Sequence, residues 1–158
     1  MQSVYLVLYN IRSTHNVGSI LRTADAVGVK KLYLVGTTPS PIDRFGRERS
    51  DVAKVALGAE KTVAWEHFED VQGVLDELKE KDVRVVAVEQ HGSSIPYTEF
   101  NTDKDVAFIL GEETKGVPEE IISLSDEVIE IPMKGKKESL NVSVTTGVIL
   151  FRNLEQSA

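Results

Sequence analysis

Short apolar runs rich in β-branched residues recur along the chain, separated by segments with helical periodicity. The runs are Val4–Tyr9, Lys31–Gly36, Arg84–Glu89, Val106–Gly111 and Val128–Ile131. Runs of this kind predict buried strands. Apolar residues at three- and four-residue spacing over Val17–Val27 and Val71–Leu78 predict helices between them. The alternation predicts an α/β fold with a mostly parallel sheet flanked by helices.

The segment from Leu140 to about Leu154 places its apolar residues on one stripe and predicts a terminal helix. The 158 residues contain no repeat and no linker, so we expect a single domain over residues 1–158, without a separate RNA-binding domain. A domain of this size can form a core without covalent cross-links. The chain has no cysteine, which excludes disulfides, thiolate zinc sites and cysteine nucleophiles and favours a cytoplasmic location.

The formal charge of −7, from 18 basic and 25 acidic residues, is unfavourable for binding nucleic acid. Binding needs only a local basic surface, however, so the charge does not exclude that class. The apolar run Val4–Tyr9 lacks the preceding basic region of a signal peptide. No apolar run approaches the roughly 18 residues of a membrane span, so we expect no membrane association.

Several common nucleotide- and metal-binding motifs are incomplete in this sequence. Gly111 and Gly116 have the spacing of the two P-loop glycines, but Val117 and Pro118 stand where Lys and Ser or Thr are needed. No G-x-G-x-x-G follows any predicted strand, so the dinucleotide fingerprint is missing. The chain has three dispersed histidines, without a metal-like partner four residues on: His15, His67 and His91. We therefore expect no metal site.

A first polar cluster, Asn10–Asn16, leads from the first predicted strand into a helix that carries Arg22. One interpretation is helix capping, in which Thr14 or Asn16 accepts from the N–H groups of the first turn. Arg22 then lies on the solvent face. The other interpretation is a functional site, and the residues alone leave both open.

Two further polar clusters, Gly111–Pro118 and Ile131–Ser143, each directly follow a predicted strand. Ligands of parallel sheets collect beyond the carboxyl ends of strands, where these clusters should lie. Helix initiation explains part of them: Pro118 suits the first helical position, and Ser139 suits an N-cap of the terminal helix. It leaves the two glycines and the paired acids of the first cluster unexplained.

Cationic residues concentrate in two segments. Arg44, Arg47 and Arg49 lie in the irregular stretch Thr37–Ser50, and three lysines follow the last predicted strand: Lys134, Lys136 and Lys137. Either segment is a solvated loop, with the arginines paired to Glu48 and Asp51, or a phosphate-binding surface.

Three motifs taken together resemble a known family. They are Asn16-Val17-Gly18-Ser19-Ile20-Leu21-Arg22-Thr23, Leu110–Gly116 in the pattern L-G-x-E-x-x-G, and Ile131-Pro132-Met133 followed by Ser139-Leu140-Asn141-Val142-Ser143. Their order and spacing resemble the SpoU/TrmH family of RNA ribose 2′-O-methyltransferases, within the SPOUT class. The resemblance covers essentially the whole chain.

The resemblance implies S-adenosylmethionine as cofactor, a homodimer, and a SPOUT fold whose C-terminal trefoil knot forms the cofactor pocket. The implied cofactor-binding residues are Gly111, Ile131, Met133, Leu140 and, on a neighbouring wall, Glu89. The implied catalytic residues are Asn16, Arg22, Glu113, Ser139 and Asn141.

The reaction implied is the attack of a ribose 2′-hydroxyl on a sulfonium methyl group. An arginine side chain stays protonated in proteins. We therefore expect Arg22 to bind a phosphate and to stabilise developing alkoxide charge, rather than to act as a base. Asn16 would hold the loop and Glu113 would orient Arg22, while Ser139 and Asn141 line the site.

The RNA acceptor, transfer or ribosomal, would be held by combined loops of the dimer or with an accessory protein. Its expected contacts are Arg12, Arg44, Arg47, Arg49, Lys134, Lys136 and Lys137. Two alternatives stay open: a non-catalytic RNA-binding module of the same fold, and a methyltransferase with a non-RNA acceptor, which the acidic charge would suit.

Overall fold

A computed structural model describes residues 1–157, which contain seven strands and six helices. In chain order the elements are β1 (Val4–Tyr9), α1 (Thr14–Val27), β2 (Lys31–Val35), α2 (Ser50–Ala56), α3 (Ala59–Thr62), β3 (Trp65–Phe68), α4 (Val71–Glu80), β4 (Arg84–Val88), β5 (Ile95–Pro96), β6 (Val106–Gly111), α5 (Glu119–Ser123), β7 (Glu127–Glu130) and α6 (Val142–Ser157). Within these residues no helix is long and apolar enough to cross a membrane.

The seven strands form one sheet in the order β3-β2-β1-β6-β4-β7-β5, and every pairing is parallel. The predicted parallel α/β architecture is therefore confirmed. Leu6 and Leu8 of β1 pack into the core on one face of the sheet, while Tyr5 and Val7 pack on the other. Strands that are covered on both faces carry continuous apolar runs. The central strands can therefore be predicted from the sequence.

The predicted bounds of β1 and β6 match the structure, whereas β7 begins and ends one residue earlier than predicted. Four short elements escape the sequence patterns: β3, β5, α2 and α3. β3 lies at the sheet edge and mixes Glu66 and His67 with its aromatic residues, so it has no apolar run. β5 has two residues, and α2 and α3 are too short to show a helical period.

The start of α1 differs from prediction. Ser13, rather than Thr14 or Asn16, is the N-cap, and its hydroxyl oxygen accepts the backbone N–H of Asn16 at 3.1 Å. Pro118 likewise precedes α5 as its N-cap instead of occupying the first helical position. Several adjacent residues were suitable caps, and the tertiary contacts of the helix decide among them.

The prediction that Ser139 caps the terminal helix is wrong, because α6 begins at Val142. Asn141 supplies the cap: its side-chain oxygen accepts the Ser143 N–H at 2.9 Å, and its backbone carbonyl accepts the Thr145 N–H at 3.0 Å. Ser139 is thereby left outside the helix, in the segment that leads from β7.

Candidate functional site

The carboxyl ends of β1, β6, β4 and β7 lie side by side because these strands are parallel neighbours. Beyond them is a cavity of about 340 Å³, which is within the usual size of small-molecule sites. All five residues that the family resemblance implies for cofactor binding line it: Glu89, Gly111, Ile131, Met133 and Leu140. Glu113 and Ser139 line the same cavity.

One wall of this cavity is a tight turn between Gly111 and Gly116. The N–H of Gly116 donates to the carbonyl of Glu112 at 2.8 Å, and Gly116 has a φ of 64°. A Cβ on Gly111 would overlap the Gly116 backbone and lie 2.7 Å from the Val117 nitrogen. The turn therefore requires both glycines, which accounts for the spacing that only superficially matched a P-loop.

Glu89, the residue directly after β4, holds the same turn in place. Its carboxylate accepts the N–H of Val117 at 2.9 Å and that of Gln90 at 3.0 Å. A Cβ on Gly116 would overlap this carboxylate. Glu89 thus shapes the wall with its side chain, in addition to lining the cavity.

The segment 131–141 forms the opposite wall and is tied down where the Gln90 side-chain amide donates to the Glu138 carbonyl at 2.6 Å. Within residues 1–157, no backbone N–H of this segment donates a hydrogen bond. The free donors lie beside the apolar side chains of Ile131 and Leu140. This combination suits a flat heterocycle with acceptor edges, such as adenine.

A second cavity of about 170 Å³ adjoins the first and shares four lining residues with it: Glu112, Glu113, Thr114 and Val142. Asn16, only 8% exposed, lines this second cavity and donates from Nδ2 to Oε1 of Glu113 at 2.7 Å. Its Oδ1 accepts from Nδ2 of Asn141 at 3.3 Å. Three of the predicted catalytic side chains, from three separate segments, are therefore joined at the junction of the two cavities.

Arg22 does not join this cluster within one copy of the chain. It is exposed on α1, six residues beyond Asn16, which in an α-helix is about 9 Å along the axis and about 240° around it. Arg22 makes no hydrogen bond or ion pair within residues 1–157. The hydrogen-bond partner of Glu113 here is Asn16, so the orienting role of Glu113 toward Arg22 stays a prediction.

Of the predicted RNA-contacting arginines, one lines the second cavity and three lie in the connection between β2 and α2: Arg12, and Arg44, Arg47 and Arg49. Arg12 lines that cavity and its side chain is 74% exposed, with Nε 4.0 Å from Glu112. Arg49 pairs with Asp51 at 2.9 Å, as one interpretation expected, and the hydrogen bond from Arg49 lowers the pKa of Asp51. The expected pairing with Glu48 is wrong, because Arg47 pairs with Asp43 and Glu48 pairs with Lys61.

The three lysines of the segment 131–141 are exposed and form no ion pair within residues 1–157: Lys134, Lys136 and Lys137. Sequence reasoning missed Glu112, Thr114 and Val142 as residues common to both cavities. For Glu112 and Thr114, the available signal was their position between two conformationally required glycines. In the described part of the chain, His, Asp and Glu side chains form no group of three that could hold a metal ion.

Comparison with known proteins identifies several relatives. The chain is 33% identical over 147 residues to an enzyme named tRNA (guanosine(18)-2′-O)-methyltransferase from Aquifex aeolicus, covering 93% of this chain and 66% of that protein. A solved AdoMet-bound rRNA methyltransferase from Sinorhizobium meliloti superposes with a TM-score of 0.86 at 27% identity, covering 95% of this chain and 55% of the other.

A third solved structure, described as concerning the 2-OH methylation of C/U34 on tRNA, matches with a TM-score of 0.84 at 26% identity. It covers 98% of this chain and 96% of its own. By contrast, the chain spans only 60 to 66% of the length of the first curated relatives that it matches. The family described as the SpoU rRNA Methylase family matches residues 3–151, and the chain belongs to that family.

Proposed function

We propose that this protein is an RNA ribose 2′-O-methyltransferase that takes its methyl group from S-adenosylmethionine. The observation that carries the proposal is the pair of adjoining cavities at the carboxyl edge of the sheet. One is lined by the residues that the family resemblance implies for the cofactor, and the other by Asn16 beside Glu113. The names of the relatives support the same reaction class.

The larger cavity fits S-adenosylmethionine in size and in chemistry. Free backbone N–H groups between residues 131 and 141 suit the adenine edge, and Ile131 and Leu140 suit its faces. The carboxylates of Glu112 and Glu113, which would repel a phosphate, attract a sulfonium cation instead. When bound, S-adenosylmethionine supplies an activated methyl group, and this chain's own residues position the acceptor.

Positioning is expected to provide most of the rate acceleration, since the donor is already activated. We infer that Asn16 fixes Glu113 and Asn141 in one arrangement between the two cavities. Ser139 and Asn141 would line the path of the acceptor hydroxyl. Arg22 would bind the adjacent phosphate and stabilise negative charge that develops on the 2′-oxygen.

A homodimer brings Arg22 within reach of a site that it does not reach in one copy. α6 has an exposed apolar stripe opposite its buried face, with Val144 50%, Phe151 47% and Leu154 42% exposed. α6 packs beside α1, which carries Arg22. We propose that a second copy covers this stripe and that the partner's Arg22 completes the site.

Several further features of the proposal follow from family membership. The segment 131–141 contacts Gln90, and the residue before α6, Asn141, contacts Asn16 of α1. We propose that this part of the chain forms the trefoil knot of the SPOUT fold. We propose that residues 1–158 act as one catalytic domain in the cytoplasm. The exposed arginines and lysines would hold transfer or ribosomal RNA, with or without an accessory protein.

The test is transfer of labelled methyl from S-adenosylmethionine to total transfer RNA and to ribosomal RNA, each from a source that lacks the modification. Label in one RNA class supports the proposal and identifies the acceptor class. Cofactor binding without transfer to either class would favour the non-catalytic RNA-binding alternative.

A further inference from the structure

Phe45 is the most exposed large apolar side chain after the N-terminal methionine, at 66%. It lies in the connection between β2 and α2, with two cations near its ring and the Asp43 carboxylate at its backbone N–H. The guanidinium carbons of Arg44 and Arg47 lie 4.9 and 5.1 Å from the centre of its ring. An exposed ring does not contribute to the hydrophobic core. Its position between two cations is therefore better explained by a ligand that binds there.

The surrounding residues form a small hairpin, residues 41–49, that holds the ring in a defined position. Ile42 and Glu48 form an antiparallel bridge, and the N–H of Arg49 donates to the Pro41 carbonyl at 2.8 Å. At the tip, Oδ1 of Asp43 accepts the N–H groups of Phe45 and Arg47 at 2.9 and 3.0 Å. The tip is preorganised, which lowers the entropic cost of binding.

Both ends of this connection are anchored beside the candidate site. Thr38, only 2% exposed, donates to the Leu8 carbonyl at 2.8 Å and accepts the Ile11 N–H at 3.0 Å, at the carboxyl end of β1. After the hairpin, α2 packs so closely on α1 that a Cβ on Gly18 would lie 2.8 Å from the Val52 carbonyl oxygen. The connection is thus fixed at one end to the carboxyl end of β1 and at the other to α1, the helix that carries Asn16.

We infer that Phe45 is a stacking platform for an unpaired nucleobase of the acceptor RNA, with Arg44 and Arg47 meeting the flanking phosphates. The inference rests on the proposed function. Aromatic rings stack on bases of any identity, and neighbouring arginines add both charge and planar stacking surfaces. The flanking cations select a polyanionic ligand over an apolar protein surface. Single-stranded segments expose their bases in this way, and duplexes do not.

The affinity test uses a labelled single-stranded RNA of about twelve nucleotides, the same strand annealed to its complement, and total transfer RNA. Stacking on one base is expected to make Phe45→Ala bind the single strand about 5- to 150-fold more weakly. Phe45→Tyr should bind as the unaltered protein does, and Phe45→Leu should resemble Phe45→Ala. The matched control is Leu124→Ala, which removes another exposed apolar side chain and should change nothing.

Salt separates the contribution of the ring from that of the arginines. The deficit of Phe45→Ala should stay constant from about 50 to about 200 mM salt, whereas the deficit of Arg44→Ala should shrink. A second readout uses the single tryptophan of the chain, Trp65. In the double variant Phe45→Trp with Trp65→Phe, single-stranded RNA should quench the emission strongly and the duplex should not.

Unchanged single-strand affinity in Phe45→Ala, or unquenched emission in the tryptophan variant, would overturn the inference while leaving the proposed function intact if methyl transfer persists. A change of oligomeric mass in Phe45→Ala would assign the ring to an interface between copies and would also overturn it. Absence of RNA binding by the unaltered protein would overturn both this inference and the proposal that RNA is the acceptor.

Discussion

Nδ2 of Asn16 lies 2.7 Å from Oε1 of Glu113, although 97 residues separate them in the chain. Asn16 is buried at the start of α1, and Glu113 lies in the turn that follows β6. The contact joins a residue that lines both cavities, Glu113, to one that lines the smaller cavity, Asn16. It is the physical link between the cofactor side and the acceptor side of the proposed site.

Asn16→Asp should lower the free energy of unfolding by about 1 to 2 kcal/mol at neutral pH, because it sets a buried carboxylate against Glu113. Glu113→Gln alone should be nearly neutral, since a glutamine oxygen still accepts from Asn16. The double variant should recover much of the loss, because the introduced carboxylate would accept from the introduced amide. Urea unfolding of the four proteins measures the coupling. Additive effects of the two substitutions would contradict the contact.

Gly111→Ala should abolish cofactor binding and lower the free energy of unfolding by about 1 to 3 kcal/mol, because the new methyl group overlaps the Gly116 backbone. Gly92→Ala is the matched control, since a Cβ there meets nothing within 4 Å. Calorimetric titration with S-adenosylmethionine and urea unfolding report the two effects. Normal binding by Gly111→Ala would show that the turn is not needed for the pocket.

Tyr33→Phe tests a polar contact away from the candidate site, on the face of the sheet to which Tyr5 and Val7 point. There the Tyr33 hydroxyl donates to Glu77. The hydrogen bond from Tyr33 lowers the pKa of Glu77 below its ordinary 4.5, whereas burial, reinforced by Glu77, raises the pKa of Tyr33 above its ordinary 10.0. The contribution of Glu77 is therefore present above pH 4.5 and is lost as the pH falls through its lowered pKa. That of Tyr33 is present below pH 10.0 and is lost as the pH rises further.

We accordingly expect Tyr33→Phe to cost about 1 to 2 kcal/mol of unfolding free energy between roughly pH 5 and 9, with a smaller difference at either extreme. Unfolding curves measured across this range test the expectation. Tyr5→Phe is the control, because the Tyr5 hydroxyl makes no hydrogen bond within residues 1–157. A deficit that is independent of pH would assign the effect to packing alone.

Phe151→Glu should convert a dimer into monomers, because it places a charge in the exposed stripe of α6 without disturbing the buried face of that helix. Sedimentation velocity measures the mass. Leu124→Glu, at a similarly exposed apolar residue outside α6, should leave the mass unchanged. A monomeric unaltered protein, or a dimeric Phe151→Glu variant, would contradict the proposed interface.

The sequence predicts the central strands well because burial on both faces makes β1 and β6 continuously apolar. The edge strands β3 and β5 carry no such pattern. Three ordered motifs also suffice to place Gly111, Ile131 and Leu140 around one cavity. The cap of α6 is not determined by local sequence, because several adjacent polar residues could serve. Ser139 is the predicted N-cap, whereas Asn141 caps the helix in the structure.

The contacts that join the site are harder to predict, because they depend on tertiary geometry. The bond between Asn141 and Asn16 spans 125 residues, and no spacing rule relates the two positions. The turn around Gly111 shows the same limit. Its two glycines are explained by a backbone approach that becomes visible only when the turn is folded.

The proposed ribose methylation is tested by the position of the transferred methyl group, compared between the unaltered protein and Arg22→Ala. After reaction with labelled S-adenosylmethionine, alkaline hydrolysis of the RNA distinguishes ribose from base methylation, because a 2′-O-methyl group protects the adjacent phosphodiester. We expect label in alkali-stable dinucleotides, lost in Arg22→Ala although that variant still folds and binds the cofactor. Label in alkali-labile mononucleotides, or undiminished transfer by Arg22→Ala, would contradict the proposal.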